Sequence, residues 1–436
     1  MRLLSVIALV GLPSNATVWV VVAWVSALRF RGLGARSVSG SGHGENALVH
    51  YSLTAHRRDT VLALLRPLHG GSASLVAEEP LGHDWAPVTR LTFDRELPGV
   101  GRTVVVKTRR VDGAGHGGPA HLRREEAGLQ TAEPTGVTAR LIASDQAAGV
   151  VVTTDLQGRP TLESVLLGTD ADAATRAVVE FGIAVGRLHA GTRGAGEGYR
   201  QALAGLGAPA ADAGPELPWP GVDRWRDVEV ASAELGLPDA RVAADDAAFV
   251  QDRIADPGPF AALTHTDLNP GNALVTPHGV RIVDFEGAIF GHLGFDASFL
   301  HFPFPTYSAH WATLPDSVVT EADRAYRREL AKAMPGEILG RLDQALAVGA
   351  AAALAVRVQR LPLLAATGQP SRTRWRRRAQ LVQQIGVFTR LAERAATLPT
   401  MADWFARLAE AMSARWQDTT TPPPATFPAF RSARDR

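Results

Sequence analysis

Residues 263–296, LTHTDLNPGNALVTPHGVRIVDFEGAIFGHLGFD, constrain this chain more than any other stretch. Two short apolar runs flank a polar loop, His265-Thr-Asp267-Leu-Asn-Pro-Gly-Asn272, and a turn then leads into Val280-Arg-Ile-Val-Asp284-Phe-Glu286. A lone H-x-D reads most simply as an Asx-turn. Here the loop stands between two β-like runs, and an amide and a second acid follow at fixed spacing. That joint pattern is hard to reach by accident. It sets Asn272 and Asp284 on opposite sides of one hairpin, with Asp267 beside them.

The spacing resembles the protein-kinase catalytic loop, H-R-D-L-x-x-x-N followed by D-F-G. His265, Asp267, Leu268 and Asn272 keep it, and Asp284-Phe285 stands in place of D-F, while Thr266 replaces the Arg and Glu286 the Gly. More closely, the stretch resembles the aminoglycoside phosphotransferase and choline kinase-like family, with H-G-D-x-H-x-x-N, then D-x-E or D-x-D, then a further Asp. This chain offers His265-Thr-Asp267-Leu-Asn269-Pro-Gly-Asn272, Asp284-Phe-Glu286 and Gly294-Phe-Asp296, departing at Thr266 and Asn269. The landmarks span roughly residues 72–300. The resemblance implies an α+β, two-lobed protein kinase-like fold, with a small β-rich N-lobe and a large, mostly helical C-lobe. It implies ATP and Mg²⁺ as cofactors. Asp267, with His265 beside it, is then the catalytic group that orients an acceptor hydroxyl. Asn272 and Asp284 supply oxygen ligands to the hard cation.

Upstream, Ser72–Glu78, Val88–Asp94 and Thr103–Thr108 are β-rich, with Pro98-Gly-Val-Gly101 as a turn. Val104-Val-Val-Lys107 resembles V-A-I-K, whose lysine holds nucleotide phosphates. The chain has only two lysines, Lys107 and Lys332, so this one stands out against an arginine-rich background. The helical run His121–Leu129 carries Glu125 four residues before Leu129, matching the family's E-x-x-x-L, so Glu125 is the expected partner of Lys107. Glu126 is the alternative, since adjacent residues face about 100° apart on a helix. Between the first two strands, Glu79–Pro87 has one glycine instead of G-x-G-x-x-G, a looser phosphate loop. Ala139–Asp145 and Gly149–Leu156 read as the fourth and fifth strands. Backbone groups around Thr153 and Asp155 are expected to meet the adenine edge.

The larger lobe opens with a helix over 171–189, whose Ala174, Val178, Phe181, Val185 and Leu188 recur at helical spacing. His189 reads as an end cap, and residues 191–220, rich in Gly, Ala and Pro, as a loop-rich insertion. After Asp296 comes an aromatic, proline-rich loop, His301–Trp311, then helices over about 321–333, 337–360, 374–397 and 401–416. Ala345–Val356 is apolar all round but too short for a membrane span, so it reads as a buried core helix. Arg372-Thr-Arg-Trp-Arg-Arg-Arg378 is the one strong charge run and reads as a solvated helix start. The divisions expected are 1–48, an apolar segment and linker; 49–158, the nucleotide-binding N-lobe; 159–418, the C-lobe; and 419–436, a disordered tail.

With no cysteine, disulfides, thiol catalysis and cysteine-bound metals are excluded. The histidines lack H-E-x-x-H or H-x-H spacing, so no zinc site is expected. A formal charge of +1 gives no reason to expect nucleic acid. Residues 1–36 are apolar with arginine flanks. A signal peptide cleaved after Ala16 would separate an ATP-using domain from its ATP. The two readings that stand level are a membrane anchor through residues 3–28 and an upstream extension outside the working protein. Either leaves the catalytic domain cytoplasmic.

Only nine residues separate Glu286 from Asp296, and no A-P-E follows, so a peptide platform has no room. The expected acceptor is a small molecule bearing a hydroxyl, aminoglycoside-, choline- or sugar-like by the resemblance. The alternative is a kinase-like nucleotide-binding or membrane-tethered interaction protein with little turnover, suggested by the poor glycine loop and the apolar N-terminus.

Overall fold

The computed structural model describes residues 53–81, 88–109, 118–157, 159–209, 225–302, 304–305, 311–359, 361–365, 372–416 and 425–431. The apolar N-terminal segment, and most of the loop between the first two strands, lie outside the described residues. Among the described residues, no helix is long and apolar enough to cross a membrane.

The fold is α+β and two-lobed. The small lobe begins with helix α1 (Ala55–His69), capped by Thr54 and ended by Gly70 in the left-handed region at φ 58°. Strands β1 (Leu75–Pro80), β2 (Val88–Leu97) and β3 (Gly101–Thr108), helix α2 (Pro119–Ala132), and strands β4 (Leu141–Asp145) and β5 (Val150–Thr154) follow. The sheet runs β1-β2-β3-β5-β4, all antiparallel. Alternation puts Leu91, Phe93, Val104, Val106, Val150 and Val152 on one buried face, where Val61 and Leu65 of α1 cover them. The sequence carries little signal for α1, because only these two of its side chains are buried and its apolar face is correspondingly faint.

The large lobe contains α3 (Leu162–Leu166), α4 (Ala171–Thr192), α5 (Gly196–Gly205), α6 (Trp225–Glu234) and α7 (Ala244–Ala255). Thus part of the expected loop-rich insertion is helical at α5. Strands β6 (Ala261–Thr264), β7 (Ala273–Thr276), β8 (Gly279–Ile282) and β9 (Ile289–His292) then pair as β6-β9 and β7-β8. Helix α8 (Leu293–Ala297), the short β10 (Phe304–Pro305) and β11 (Trp311–Ala312), and helices α9 (Asp316–Leu330), α10 (Gly336–Leu339), α11 (Leu342–Val358), α12 (Leu361–Ala365), α13 (Arg372–Arg394) and α14 (Pro399–Arg415) complete it.

All five expected core positions on α4 are buried. Gly182 and Gly186 let α4 pack directly on α9, where a Cβ would meet the carbonyl oxygens of Ala322 and Tyr326 at 2.5 and 2.9 Å. The apolar α11 is buried nearly all round, as a core helix. Two expectations need correcting. Residues 425–431, expected to be disordered, pack: Phe427 is fully buried and its backbone N–H donates to Thr313 at 3.1 Å. At the end of the arginine run, Arg378 is buried rather than solvated. Its Nε donates to the Leu364 carbonyl at 2.8 Å, and its guanidinium lies 4.4 Å from the Trp416 ring centre.

Candidate active site

The site lies between the lobes. Lys107 sits next to last in β3, registered opposite Val88 and Val151. Its side chain crosses to α2, where Nζ lies 2.7 Å from Glu125 Oε2. Glu126 faces elsewhere, accepting from Gln130 at 3.4 Å and from Gln146 at 2.5 Å. Helical rotation separates the two neighbouring acids. The α2 helix can approach because Gly128 has no side chain: a Cβ there would stand 3.0 Å from those of Phe285 and Ala288. The same approach brings Asp284 against Lys107 in a short ion pair. One ammonium therefore joins a strand and a helix of the small lobe to the D-F-E turn of the large one.

Two groups here were missed as site residues. Glu286 lies 3.1 Å from Lys107 Nζ and forms a short ion pair with Arg109, which is only 4% exposed. The signal for Glu286 was the D-x-E spelling. Arg109 gave none, since Thr-Arg-Arg after a strand reads as surface charge. Carboxylate oxygens of Glu125, Asp284 and Glu286 lie within 4.8 Å of one another. Three hard oxygen donors at this spacing fit a divalent cation such as Mg²⁺. Burial pushes the Glu125 carboxyl up, against the pull of Lys107. Burial acts on Asp284 in the same sense, but the charge and hydrogen bond of Lys107 hold that carboxyl below its ordinary value.

The loop after β6 is held by the backbone. Thr266 and Asp284 both adopt positive φ, 67° and 74°, uncommon for residues with a side chain. Thr266 stands where the resembling family has glycine. Its Oγ1 donates to the Gly287 carbonyl at 2.9 Å, and its N–H to Asp296 Oδ1 at 2.8 Å. Asp296 is fully buried and also accepts from the His265 N–H at 2.5 Å. His189, read from sequence as an end cap, instead reaches inward. Its Nε2 lies 3.4 Å from Asp296 and its Nδ1 3.0 Å from the Tyr326 hydroxyl.

His265 is fully buried, with Nε2 2.9 Å from the Val283 carbonyl and Nδ1 3.3 Å from the Asp267 N–H. The first contact fixes the tautomer, with Nε2 donating and Nδ1 accepting. Asp267 is half-buried. Asn269 donates to its carboxylate at 3.1 Å and caps the following turn at Gly271. The Asn272 amide donates to the Asp267 carbonyl at 3.0 Å. Burial pushes the Asp267 carboxyl up, opposed first by His265.

Thr153 and Asp155 lie at the link between lobes. Thr153 is registered with both Val105 and Leu141, so its backbone serves the sheet. Asp155 follows the strand; its carboxylate accepts from Arg90 Nε at 2.7 Å and from the Gln157 N–H at 2.8 Å.

The chain is similar to solved kinases at low identity. A choline/ethanolamine kinase family protein from Mesorhizobium loti shares 16% identity over 82% of this chain and 99% of that one, at a TM-score of 0.42. A choline kinase from Cryptosporidium parvum shares 12% over 80% and 99%, at 0.44. A macrolide 2'-phosphotransferase from Brachybacterium faecium shares 19% over 80% and 98%, at 0.38. No curated protein matches the chain. The profile of the phosphotransferase enzyme family matches residues 88–332, more than half of the 436 residues and the whole site built above. The chain belongs to the phosphotransferase enzyme family.

Proposed function

We propose that this phosphotransferase uses ATP and Mg²⁺ to move the γ-phosphoryl group onto a hydroxyl of a small molecule. The observation that carries the reading is the meeting of Lys107, Glu125 and Asp284 at one point between the lobes, beside Asp267. Lys107, held by Glu125, is a fixed ammonium for the nucleotide phosphates, and Arg109 stands behind it as a second cation. The Thr153 backbone is committed to the sheet, so the backbone groups that follow it, from Asp155 to Gln157, are the hinge for the adenine edge. Of the three clustered carboxylates Glu125 stays with Lys107, so Asp284 and Glu286 would hold the cation, with the Asn272 oxygen as a further donor; the Asn272 nitrogen is committed to the loop backbone. Mg²⁺ bound there would neutralise charge on the phosphate oxygens.

Asp267 orients the acceptor hydroxyl and takes its proton as the phosphoryl group leaves the nucleotide. Its raised carboxyl favours proton acceptance over an ordinary surface aspartate. Asn269 fixes one carboxylate oxygen toward the loop. His265 is a positioning residue, since both ring nitrogens are spent on backbone groups. Catalysis is then positioning and charge stabilisation, with no covalent intermediate on the protein. The catalytic domain works where ATP is available, in the cytoplasm, whether or not residues 3–28 anchor it.

The test is Mg²⁺-dependent ADP formation by residues 45–436 across a library of hydroxyl compounds. The expected result is turnover with at least one class of acceptor. Tight Mg·ATP binding with no transfer to any acceptor would overturn the reading.

A further inference from the structure

The large lobe carries a second, half-open pocket at the end of the β6-β9 ladder away from the catalytic loop. It holds about 320 Å³ of empty space out to its mouth. Phe249 and Arg253 of α7 line one side, and Arg341 and Gln344 at the start of α11 line the other. Phe260 and the buried His292 lie deeper. His292 is registered opposite Ala261, the first residue of β6, whereas the catalytic loop leaves β6 after Thr264. At about 3.3 Å per residue, the pocket is on the order of 13 Å from His265 along that strand.

The lining is cationic. The Arg253 guanidinium carbon stands 5.2 Å from the Phe249 ring centre, and that of Arg341 6.0 Å from the Phe260 ring centre. A ring takes the flat face of a guanidinium and leaves its N–H edges free. Both side chains are exposed, and neither guanidinium has a hydrogen-bond or ion-pair partner among the described residues. No carboxylate lines the pocket. Asp343, in the same first turn of α11, is already held by Arg327 at 2.6 Å and Arg394 at 2.9 Å.

His292 adds a donor from within. Its ring is only 4% exposed, and Nδ1 accepts from the Gly294 N–H at 3.2 Å. The proton therefore rests on Nε2, which no hydrogen bond uses among the described residues. Burial, then the charges of His189 and Arg253, pull this imidazole down to about 4, so near neutral pH it is an uncharged N–H donor. Two open guanidinium forks and a buried N–H, with no acid to oppose them, suit an oxyanion.

We propose that this pocket is a binding site for a phosphate-type oxyanion, with Arg253 and Arg341 closing on it from the two sides and the His292 Nε2–H meeting it from within. The source is free phosphate or a phosphorylated small molecule whose apolar part rests on Phe249 and Phe260. The site is separate from the catalytic centre but reaches it at one remove. Gly294, whose N–H the His292 ring holds, precedes by two residues the Asp296 that holds the catalytic loop. A bound anion would thus steady the strand end from which the Asp296 turn leaves.

The experiment titrates inorganic phosphate and phenyl phosphate, against potassium chloride of equal ionic strength, into the full chain and follows heat and melting temperature. The proteins are wild type, Arg253→Gln, Arg341→Gln, the double variant and Lys107→Gln. Wild type should bind phosphate saturably and melt higher with it than with chloride. Each single variant should weaken binding roughly tenfold, the double should abolish it, and Lys107→Gln should bind as wild type does. Tighter binding of phenyl phosphate identifies a phosphorylated small molecule as the source; equal binding identifies free phosphate. No saturable binding beyond chloride, or undiminished binding by a double variant that melts normally, overturns the proposal. So does a loss confined to Lys107→Gln, which would put the anion where the nucleotide phosphates go. A double variant that fails to fold leaves the two single variants to decide, and wild-type affinity in both overturns the proposal.

Discussion

Gly349→Ala tests how the site is held, at a position far from the chemistry. Gly349 is on α11 where the helix touches the backbone of α8. A methyl group there would fall inside contact distance of the Gly294 carbonyl carbon and oxygen and of the Phe295 amide nitrogen. None of these atoms can rotate away, and carbon atoms need about 3.5 Å of separation. The two helices must therefore part by about 1 Å or more. Overpacking of this kind costs about 1–3 kcal/mol and occasionally more, against a helix-propensity gain of about 0.5–1 kcal/mol for replacing glycine. A net loss of about 1–2 kcal/mol should lower the melting temperature by roughly 1–2 °C in a chain of this size. Gly294 precedes Asp296 by two residues, so the displacement reaches the His265 and Thr266 N–H groups that Asp296 holds. An ångström of misplacement at the reacting groups costs about a hundredfold in rate. Gly386→Ala on α13 is the matched control. Its nearest neighbour is the flexible Arg390 Nη1 at 3.7 Å, so the same chemical change should stabilise by about 0.5–1 kcal/mol. Calorimetric melting and acceptor phosphorylation measure both effects. A Gly349→Ala protein as stable as wild type, or the two variants shifting together, would refute the packing argument.

Lys107→Arg should impair transfer at least tenfold, roughly, because a planar fork cannot replace a compact ammonium held between Glu125 and Asp284; steady-state kinetics check it, and full activity would remove Lys107 from the site. Asp284→Asn should weaken Mg·ATP binding by roughly tenfold or more, measured by titration calorimetry, since one oxygen charge of the cation cluster is lost. Stability should fall as pH drops from 6.5 to about 4, because burial pulls His292 from 6.5 down to about 4. Over that window the unfolded chain takes a proton that the native imidazole refuses, a loss on the order of 3 kcal/mol that levels off below pH 4. Urea melts of wild type and His292→Asn across this range should diverge at high pH and converge at low pH; parallel curves would contradict the assignment.

What the sequence made legible was whatever local spacing encodes. The E-x-x-x-L spacing singled out Glu125 over Glu126, and the helix rotates the two acids apart as that spacing requires. β-rich runs marked all five strands of the small lobe, and the helical period on α4 marked a face that is buried. Long-range pairing was not legible. Arg109 becomes a site group only because the D-F-E turn folds back onto β3, and the buried placement of Arg378 depends on Leu364 and Trp416. His189 looked like a helix terminus in one dimension, whereas in three its ring reaches Asp296 across 107 residues. The packing of 425–431 escaped notice because a proline-rich, polar approach hides the single anchor Phe427, which finds its place beside Thr313.

The proposed division of labour gives Asp267 to the acceptor and the lysine–acid cluster to the nucleotide. It is tested most directly by following γ-labelled ATP with the wild-type chain and Asp267→Asn, with Mg·ATP affinity measured on the same samples. Label should appear on a small-molecule hydroxyl with the wild type, with a loss of roughly a hundredfold or more in Asp267→Asn and nucleotide affinity nearly unchanged. Label transfer that survives in Asp267→Asn, or a collapse of Mg·ATP binding in that variant, would contradict it.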